Sequence, residues 1–246
     1  MKNLIMIVFI CVLLIFFSTA VIAGQEVNQT DQNLSGNEGE EWTGYNIRAG
    51  FGPEIGWLRL DLDDLNNILT ANNFPELNNN IFIYGSSGVA GNKIGNRFGG
   101  LTLKGSSESK VGDRMTRLSI NYCGLVYERG IYATEDLEFS AGAIFGTGGI
   151  ELRLLSDEPG DFESIIGDIA DDSHNSSTME KSFFTLNPQI SMAYSLVGPL
   201  DIGVSAGYLF TYDFNSNWEI AGNEIAGGPL SNFRAFNLTF QLYIGF

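Results

Sequence analysis

The stretch Phe236-Asn237-Leu238-Thr239-Phe240-Gln241-Leu242-Tyr243-Ile244-Gly245-Phe246 decides the fold of this chain. Every second residue in it is large and apolar, and the residues between are mostly polar or small. Strict alternation predicts a β-strand with one apolar and one polar face. About ten alternating residues are also enough for a tilted strand to cross a bilayer. The apolar face consists of Phe236, Leu238, Phe240, Leu242, Ile244 and Phe246.

An aromatic residue at the end of such a strand, here Phe246, resembles the C-terminal assembly signal of bacterial outer-membrane β-barrels. The resemblance implies a location in the cell outer membrane, contact with outer-membrane lipid and insertion by the barrel-assembly machinery. It covers the N-terminal signal and the strand pattern from about Gly44 onward, and it implies no particular activity. The fold class that follows is an all-β, closed, antiparallel up-and-down transmembrane barrel.

The first 23 residues are typical of a cleaved secretory signal peptide. Met1-Lys2-Asn3 is a positive start, an apolar run of 14 residues follows, and small residues end at Ala23. The run is short for a membrane-spanning helix of about twenty residues, although an uncleaved anchor is the alternative. Residues 24–43 are acidic and polar, which predicts a disordered lead-in. The barrel is then predicted over residues 44–246.

The composition excludes several classes of protein. Cys123 is the only cysteine left after cleavage at Ala23, so no internal disulfide can form. The net charge of −16 argues against a nucleic-acid partner, because phosphate binding needs Lys and Arg. A single histidine, His174, cannot build a metal site of the His/Cys type, and no cofactor is predicted.

Eight alternating segments make up the predicted barrel, and bacterial barrels have an even number of strands. If Pro53 divides the first segment, ten strands are the alternative. Bulges are expected at Pro188, which cannot donate to a ladder, and at Gly148-Gly149, where the apolar phase shifts. The predicted strands are residues 45–60, 80–90, 95–104, 115–127, 137–154, 183–196, 200–214 and 233–246.

The connections between these segments alternate between short and mostly long, which is the asymmetry of periplasmic turns and outer loops. The predicted turns are residues 91–94, 129–135 and 197–199, and the predicted outer loops are residues 61–79, 105–114, 156–182 and 215–232. Two of the loops have apolar residues at helical spacing. The predicted helical faces are Leu62, Leu65, Ile68 and Leu69, with Asp61 as N-cap, and Phe162, Ile165, Ile166 and Ile169, which follow Asp161.

The polar faces of the strands are expected to fill the lumen, since an eight-stranded barrel is just wide enough to be filled by side chains. Charges of both signs there must pair with one another. On strand four, Leu118, Ile120, Tyr122 and Val126 are predicted to face outward and Cys123 inward. The predicted lumen charges are Arg48, Glu54, Lys104, Arg117, Glu138 and Asp201.

A filled lumen favours a structural, anchoring or surface-interaction role. One alternative is a narrow channel for small or cationic solutes. Another is a lipid-modifying enzyme, for which Asp172, Ser173 and His174 offer suitable residue types, although adjacent loop residues do not define a triad. A secreted barrel with its apolar face inside is the non-membrane alternative. The acidic loops also predict an attraction for divalent cations.

Overall fold

Eight long antiparallel strands close into a barrel in the computed structural model, which describes residues 47–156, 176–213, 217–225 and 227–245. Each long strand pairs with its neighbours in the chain, and the first pairs with the last to close the wall. The closed antiparallel up-and-down barrel and the count of eight are therefore confirmed. The predicted signal peptide, the lead-in and Phe246 lie outside the described residues.

The wall contains strands β1 to β7 and β10, and a short hairpin, β8 and β9, extends it by pairing with β6. A single helix, α1, occurs among the described residues and spans Asp63–Ala71. It is too short to cross a membrane, so no described helix does so. The strands are β1 Ile47–Leu60, β2 Asn80–Asn92, β3 Gly95–Val111, β4 Arg114–Ala133, β5 Leu137–Leu155, β6 Ser176–Val197, β7 Leu200–Asp213, β8 Trp218–Ile220, β9 Asn223–Ile225 and β10 Arg234–Gly245.

Pro53 and Pro188 are accommodated without breaking a strand. Pro53 pairs with Ser86 of β2, while the ladder from β1 to β10 is interrupted beside it and resumes in the same register. Pro188 likewise pairs with β5 in unbroken register. The predictions of a bulge at Pro188 and of another at Gly148-Gly149 were therefore both wrong. The register shifts instead at Gly130/Tyr132 and Ser195/Val197, next to tight hairpins.

The two ends of the barrel differ. At the end that we call the turn end, β2–β3, β4–β5 and β6–β7 are joined by two or three residues. At the opposite end, the loop end, three connections are long, but β3 and β4 are joined by residues 112–113 alone. The predicted loop 105–114 is thus mostly strand, and so is the second part of the predicted loop 156–182. Because β3 to β6 have 17 to 22 residues and β1 and β10 only 14 and 12, one side of the wall extends further at the loop end.

Helix α1 covers the interior at the loop end. Leu65 and Leu69 are buried as predicted, but Ile68 is half exposed. The N-cap is Leu62, which has no side-chain acceptor, and the Asp61 carboxylate instead accepts a hydrogen bond from the backbone N–H of Asp63 at 3.3 Å. Asp61 was therefore one residue too early for the N-cap. The second predicted helix lies outside the described residues.

Candidate functional site: the two halves of the barrel

Side chains alternate between the inside and the outside of the wall along every barrel strand. In the half nearer the turn end, the turn half, the outward side chains are mostly apolar and exposed, and on the shorter strands β1, β2, β7 and β10 this apolar surface continues toward the loop end. This belt includes aromatic rings at both of its margins, which is the distribution found at membrane–water interfaces. Its members include Phe51, Ile55, Trp57, Phe82, Tyr84, Phe98, Leu125, Phe139, Ile190, Met192, Tyr194, Ile202, Tyr208, Phe210, Phe236, Phe240, Leu242 and Ile244.

The interior of the turn half is charged. Arg48 of β1 donates to Glu138 of β5 across the lumen, with 2.6 Å between Nη1 and Oε2, and its Nη2 lies 3.3 Å from Asp201 of β7. The Arg48 guanidinium also lies 5.5 Å from the centre of the Tyr243 ring. One arginine thereby links strands on opposite sides of the barrel across the lumen.

A second arginine completes this network. Arg97 of β3 is 1% exposed and pairs with both Glu138 and Glu128, the latter with 3.4 Å between Nη2 and Oε2. Gln189 donates to the other oxygen of Glu128 at 3.2 Å. Because each carboxylate has a cationic or amide partner, the desolvation of these charges is offset. We call Arg48, Arg97, Glu128, Glu138 and Asp201 the charged network.

The interior of the loop half has the opposite character. Leu58 and Leu60 of β1, which follow Glu54 on the same inward face, are at most 1% exposed. The same change from polar to apolar occurs along β3, β4 and β5. Together with α1, these side chains form one continuous cluster, the loop-end core. It includes Leu58, Leu60, Leu65, Leu69, Ile81, Ile83, Leu103, Leu118, Ile120, Tyr122, Ile150, Leu152, Phe183, Leu209, Trp218 and Phe233.

On β3, β4 and β5 the outward face of the loop half is polar, so these three strands reverse their sidedness along their own length. On β4, exposed Leu125 belongs to the belt, whereas Asn121, Ser119 and Arg117 follow on the same outward face. On β5 the outward residues change in the same way, from Phe139 to Glu151 and Arg153. An apolar interior and a polar exterior are what a barrel in water requires.

A buried ion pair holds the last long loop against the loop-end core. Lys181 of β6 and Asp213 of β7 are 2.6 Å apart, and each side chain is 2% exposed. The other carboxylate contact of Asp213 is with the backbone N–H of Asn232, and Lys181 also reaches the Ser231 hydroxyl at 3.1 Å. Because both charges have several partners, this pair fixes the loop over the barrel end.

The predicted lumen charges divide into two groups. Arg48, Glu54, Glu138 and Asp201 lie inside the barrel. Lys104 and Arg117 lie outside, so their assignment to the lumen was wrong. Arg117 makes only a 3.8 Å contact with Glu108, and both side chains are about half exposed.

The faces of strand four were assigned the wrong way round. Leu118, Ile120, Tyr122 and Val126 face the interior, whereas Ser119, Asn121 and Cys123 face outward. On β5, Ile150 and Leu152 are also interior, because the strand keeps its phase through Gly148-Gly149. The physical reason is the reversal itself, since the apolar residues beyond the belt belong to a core.

Sequence reasoning did not select Arg97, Glu128 or the Lys181–Asp213 pair. Arg97 and Glu128 are directly opposed across β3 and β4, just after a turn. Each is adjacent to an outward aromatic residue, Phe98 or Tyr127. That alternation is the signal that would have placed both charges inside.

The structure brings no catalytic or metal constellation together among the residues it describes. Asp172, Ser173 and His174 fall in the segment 157–175, outside those residues. No described group of three His, Cys, Asp or Glu side chains is arranged to hold a metal ion. The exposed acids of the first long loop, Asp61, Asp63 and Asp64, lie at the start of α1.

No protein-family model matches the chain, and no curated protein matches it. Among solved structures, it is similar to the attachment invasion locus protein Ail of Yersinia pestis in complex with the heparin analogue sucrose octasulfate. The identity is 8%, the TM-score is 0.44, and 81% of this chain and 97% of Ail are covered.

Two further solved structures are similar to the chain. For Neisserial surface protein A the identity is 12% and the TM-score 0.42, over 82% of this chain and 97% of the other. For a major outer membrane protein of Thermus thermophilus the values are 10% and 0.39, over 80% and 99%. At such identities the function has to be argued from the residues of this chain.

Proposed function

We propose that this protein is a non-conducting outer-membrane β-barrel that anchors a water-exposed lobe at the cell surface for a structural or interaction role. The observation that supports it best is the reversal of sidedness along β3, β4 and β5. An outward apolar belt requires lipid around the turn half. The polar outward wall that β3, β4 and β5 present in the loop half, around an apolar core, requires water.

The orientation follows from the connections. Short turns at one end and long loops at the other match the periplasmic and outer ends of bacterial barrels. The loop half, covered by α1 and the β8–β9 hairpin, then stands outside the cell. Its outward wall presents mixed charges, among them Lys110, Arg117, Glu151 and Arg153.

Conduction is opposed by both halves of the interior. The charged network links strands across the turn half, and the loop-end core fills the other half with leucine, isoleucine and aromatic side chains. A desolvated apolar core offers ions no replacement for their hydration shells. The role proposed is also non-catalytic. Insertion by the barrel-assembly machinery through the terminal strand and binding of divalent cations at the acidic loops stay predictions.

Two measurements test the proposal. Purified, folded protein in planar bilayers is expected to give no current above the baseline of the bare membrane. A large and steady current would establish the narrow channel instead.

Labelling of intact cells tests the orientation. In a Cys123→Ser background, Ser119→Cys should react with a membrane-impermeant maleimide added outside the cell. Ser140→Cys, inside the turn half, is the matched control and should remain unlabelled. Labelling of Ser119→Cys only after the cells are permeabilised would contradict a surface-exposed loop half.

A further inference from the structure

The belt contains a depression on β1, β2 and β3. It is a groove of about 660 Å³ whose outward residues include Pro53, Ser86, Gly100 and Thr102. These residues lie in adjacent rows, because Pro53 pairs with Ser86 and Ser86 with Thr102. Large side chains occupy other outward positions of the belt, such as Ile190, Ile202 and Leu242, although Ala141 and Ala143 of β5 are also small.

The fold leaves room for a side chain at position 100, yet the residue there is glycine. Its backbone φ is not in the left-handed region, and a Cβ atom would lie 3.8 Å from the nearest non-adjacent atom, the carbonyl oxygen of Gly124. Glycine inside a strand costs about 0.5–1 kcal/mol relative to alanine. A strand glycine that neither backbone strain nor crowding requires is one mark of a site where a ligand or another backbone approaches closely.

Large side chains border the groove on two sides. Phe51 is 70% exposed and Leu125 is 74% exposed, because the residues next to them in the same row are Gly88 and Gly100. The floor is therefore an apolar channel about two residue rows high. An extended hydrocarbon chain fits such a channel, whereas the charged segments of a water-exposed partner do not.

A cation lies directly above the groove at the loop-end margin of the belt. Lys104 follows Thr102 on the outward face of β3, and its Nζ is 5.2 Å from the centre of the Tyr84 ring. Its partners in the flanking strands are Tyr84 and Asn121, so no acid stands beside it in the row. Within the part of the chain that the structure describes, Lys104 forms no ion pair.

We propose that this surface binds a membrane lipid whose phosphate-bearing headgroup has a net negative charge, one acyl chain of which lies in the groove while Lys104 contacts the headgroup and neutralises its charge. Asn121 and the Tyr84 hydroxyl provide hydrogen-bond donors next to that ammonium group. The charge complementarity with phosphate favours this occupant over a second copy of the chain, for which the strong cation at the rim would be an unpaired charge. The inference rests on the proposed membrane location of the belt.

Native mass spectrometry of the folded protein in detergent, titrated with phosphatidylglycerol or phosphatidylcholine, tests the site. The unmodified chain should retain one phosphatidylglycerol in preference to phosphatidylcholine. Lys104→Gln should reduce the affinity for phosphatidylglycerol about fivefold, the effect of one basic residue near an anionic lipid surface, and should leave phosphatidylcholine binding unchanged. Arg129→Gln, an outward cation near the turn end, is the control and should keep the preference.

Filling the groove should have a different effect. Gly100→Leu should abolish retention of both lipids, whereas Ala141→Leu, on the outward face of β5, should not. Ser86→Leu is a second filling variant in case Gly100→Leu fails to fold, as judged by its heat-modifiable mobility. Three results would overturn the inference. They are equal retention of both lipids by the unmodified chain, unchanged lipid binding by the filled variants, and a dimer of the unmodified chain that the filled variants no longer form. Failure of the unmodified chain to insert into vesicles would instead refute the proposed membrane location.

Discussion

On β3, β4 and β5 the turn half and the loop half share the same alternation, yet they place their apolar side chains on opposite faces. In the turn half Leu125 faces outward and Glu128 faces inward, whereas in the loop half Arg117 faces outward and Leu118 inward. All four belong to β4. The comparison shows that the medium around each segment, rather than the strand itself, determines which face is apolar.

The largest expected effect concerns the charged network. Arg97→Ala removes the guanidinium group that pairs with both Glu128 and Glu138. Two buried carboxylates then lose this cationic partner. Breaking a buried pair in this way costs about 3–5 kcal/mol. Urea unfolding of the barrel in lipid vesicles, followed by tryptophan fluorescence, should show the loss. A midpoint equal to that of the unmodified protein would mean that water screens the turn half.

The loop-end core is expected to respond as the core of a soluble protein does. Leu118 is fully buried, so Leu118→Ala should lower the free energy of unfolding by about 2–5 kcal/mol. Leu125→Ala, on the exposed face of the same strand, is the matched control and leaves no internal cavity. Similar losses from the two variants in the same urea experiment would contradict the assignment of their faces.

The alternation was sufficient to predict part of the molecule. On β10 every second residue from Phe236 to Ile244 was correctly predicted to face outward, and β7 has the same alternation from Leu200 to Tyr212. Those strands end soon after the belt, so a single environment applies to most of their length. The lumen position of Arg48, Glu138 and Asp201 was predicted because all three lie in the turn half, where the polar face of each strand points inward.

Sequence reasoning failed where a strand continues into the second environment. Leu118, Ile120 and Tyr122 alternate as cleanly as the belt residues, so the alternation by itself does not distinguish a lipid-facing row from a core-facing row. On β5, the apolar residues Ile150 and Leu152 therefore suggested that the strand changes phase at Gly148-Gly149, although it does not. The interleaved Glu151 and Arg153 are the local indication that the exterior had become aqueous.

A charge on the outward face should distinguish the halves next most strongly. Ile202→Arg places a cation in the belt, where the cost is about 2–4 kcal/mol near the middle of the membrane. Ser119→Arg makes the same kind of change on the outward wall of the loop half and should be neutral. The fraction of folded protein, read from heat-modifiable gel mobility, should fall for the first variant only. Equal fractions of folded protein for the two variants would contradict a lipid-facing belt at Ile202.

The smallest effect is expected at Arg117. Its contact with Glu108 is long and half exposed, and such pairs contribute about 0–1 kcal/mol. Arg117→Ala should therefore leave the urea midpoint almost unchanged, in contrast to Arg97→Ala. A loss of stability as large as that of Arg97→Ala would contradict the outward position of Arg117 and indicate that its side chain lies inside the barrel.

The most direct test of the reversal is a depth profile along the outward face of β5. In a Cys123→Ser background, spin labels at residues 141, 143, 147, 151 and 153 would be examined in bilayers by power-saturation electron paramagnetic resonance. Labels at residues 141 and 143 should be accessible to oxygen and protected from a water-soluble nickel chelate. Labels at residues 151 and 153 should show the opposite, with the change close to residue 147. Oxygen accessibility that remains high as far as residue 153 would contradict the account, because the whole outward face would then lie in lipid.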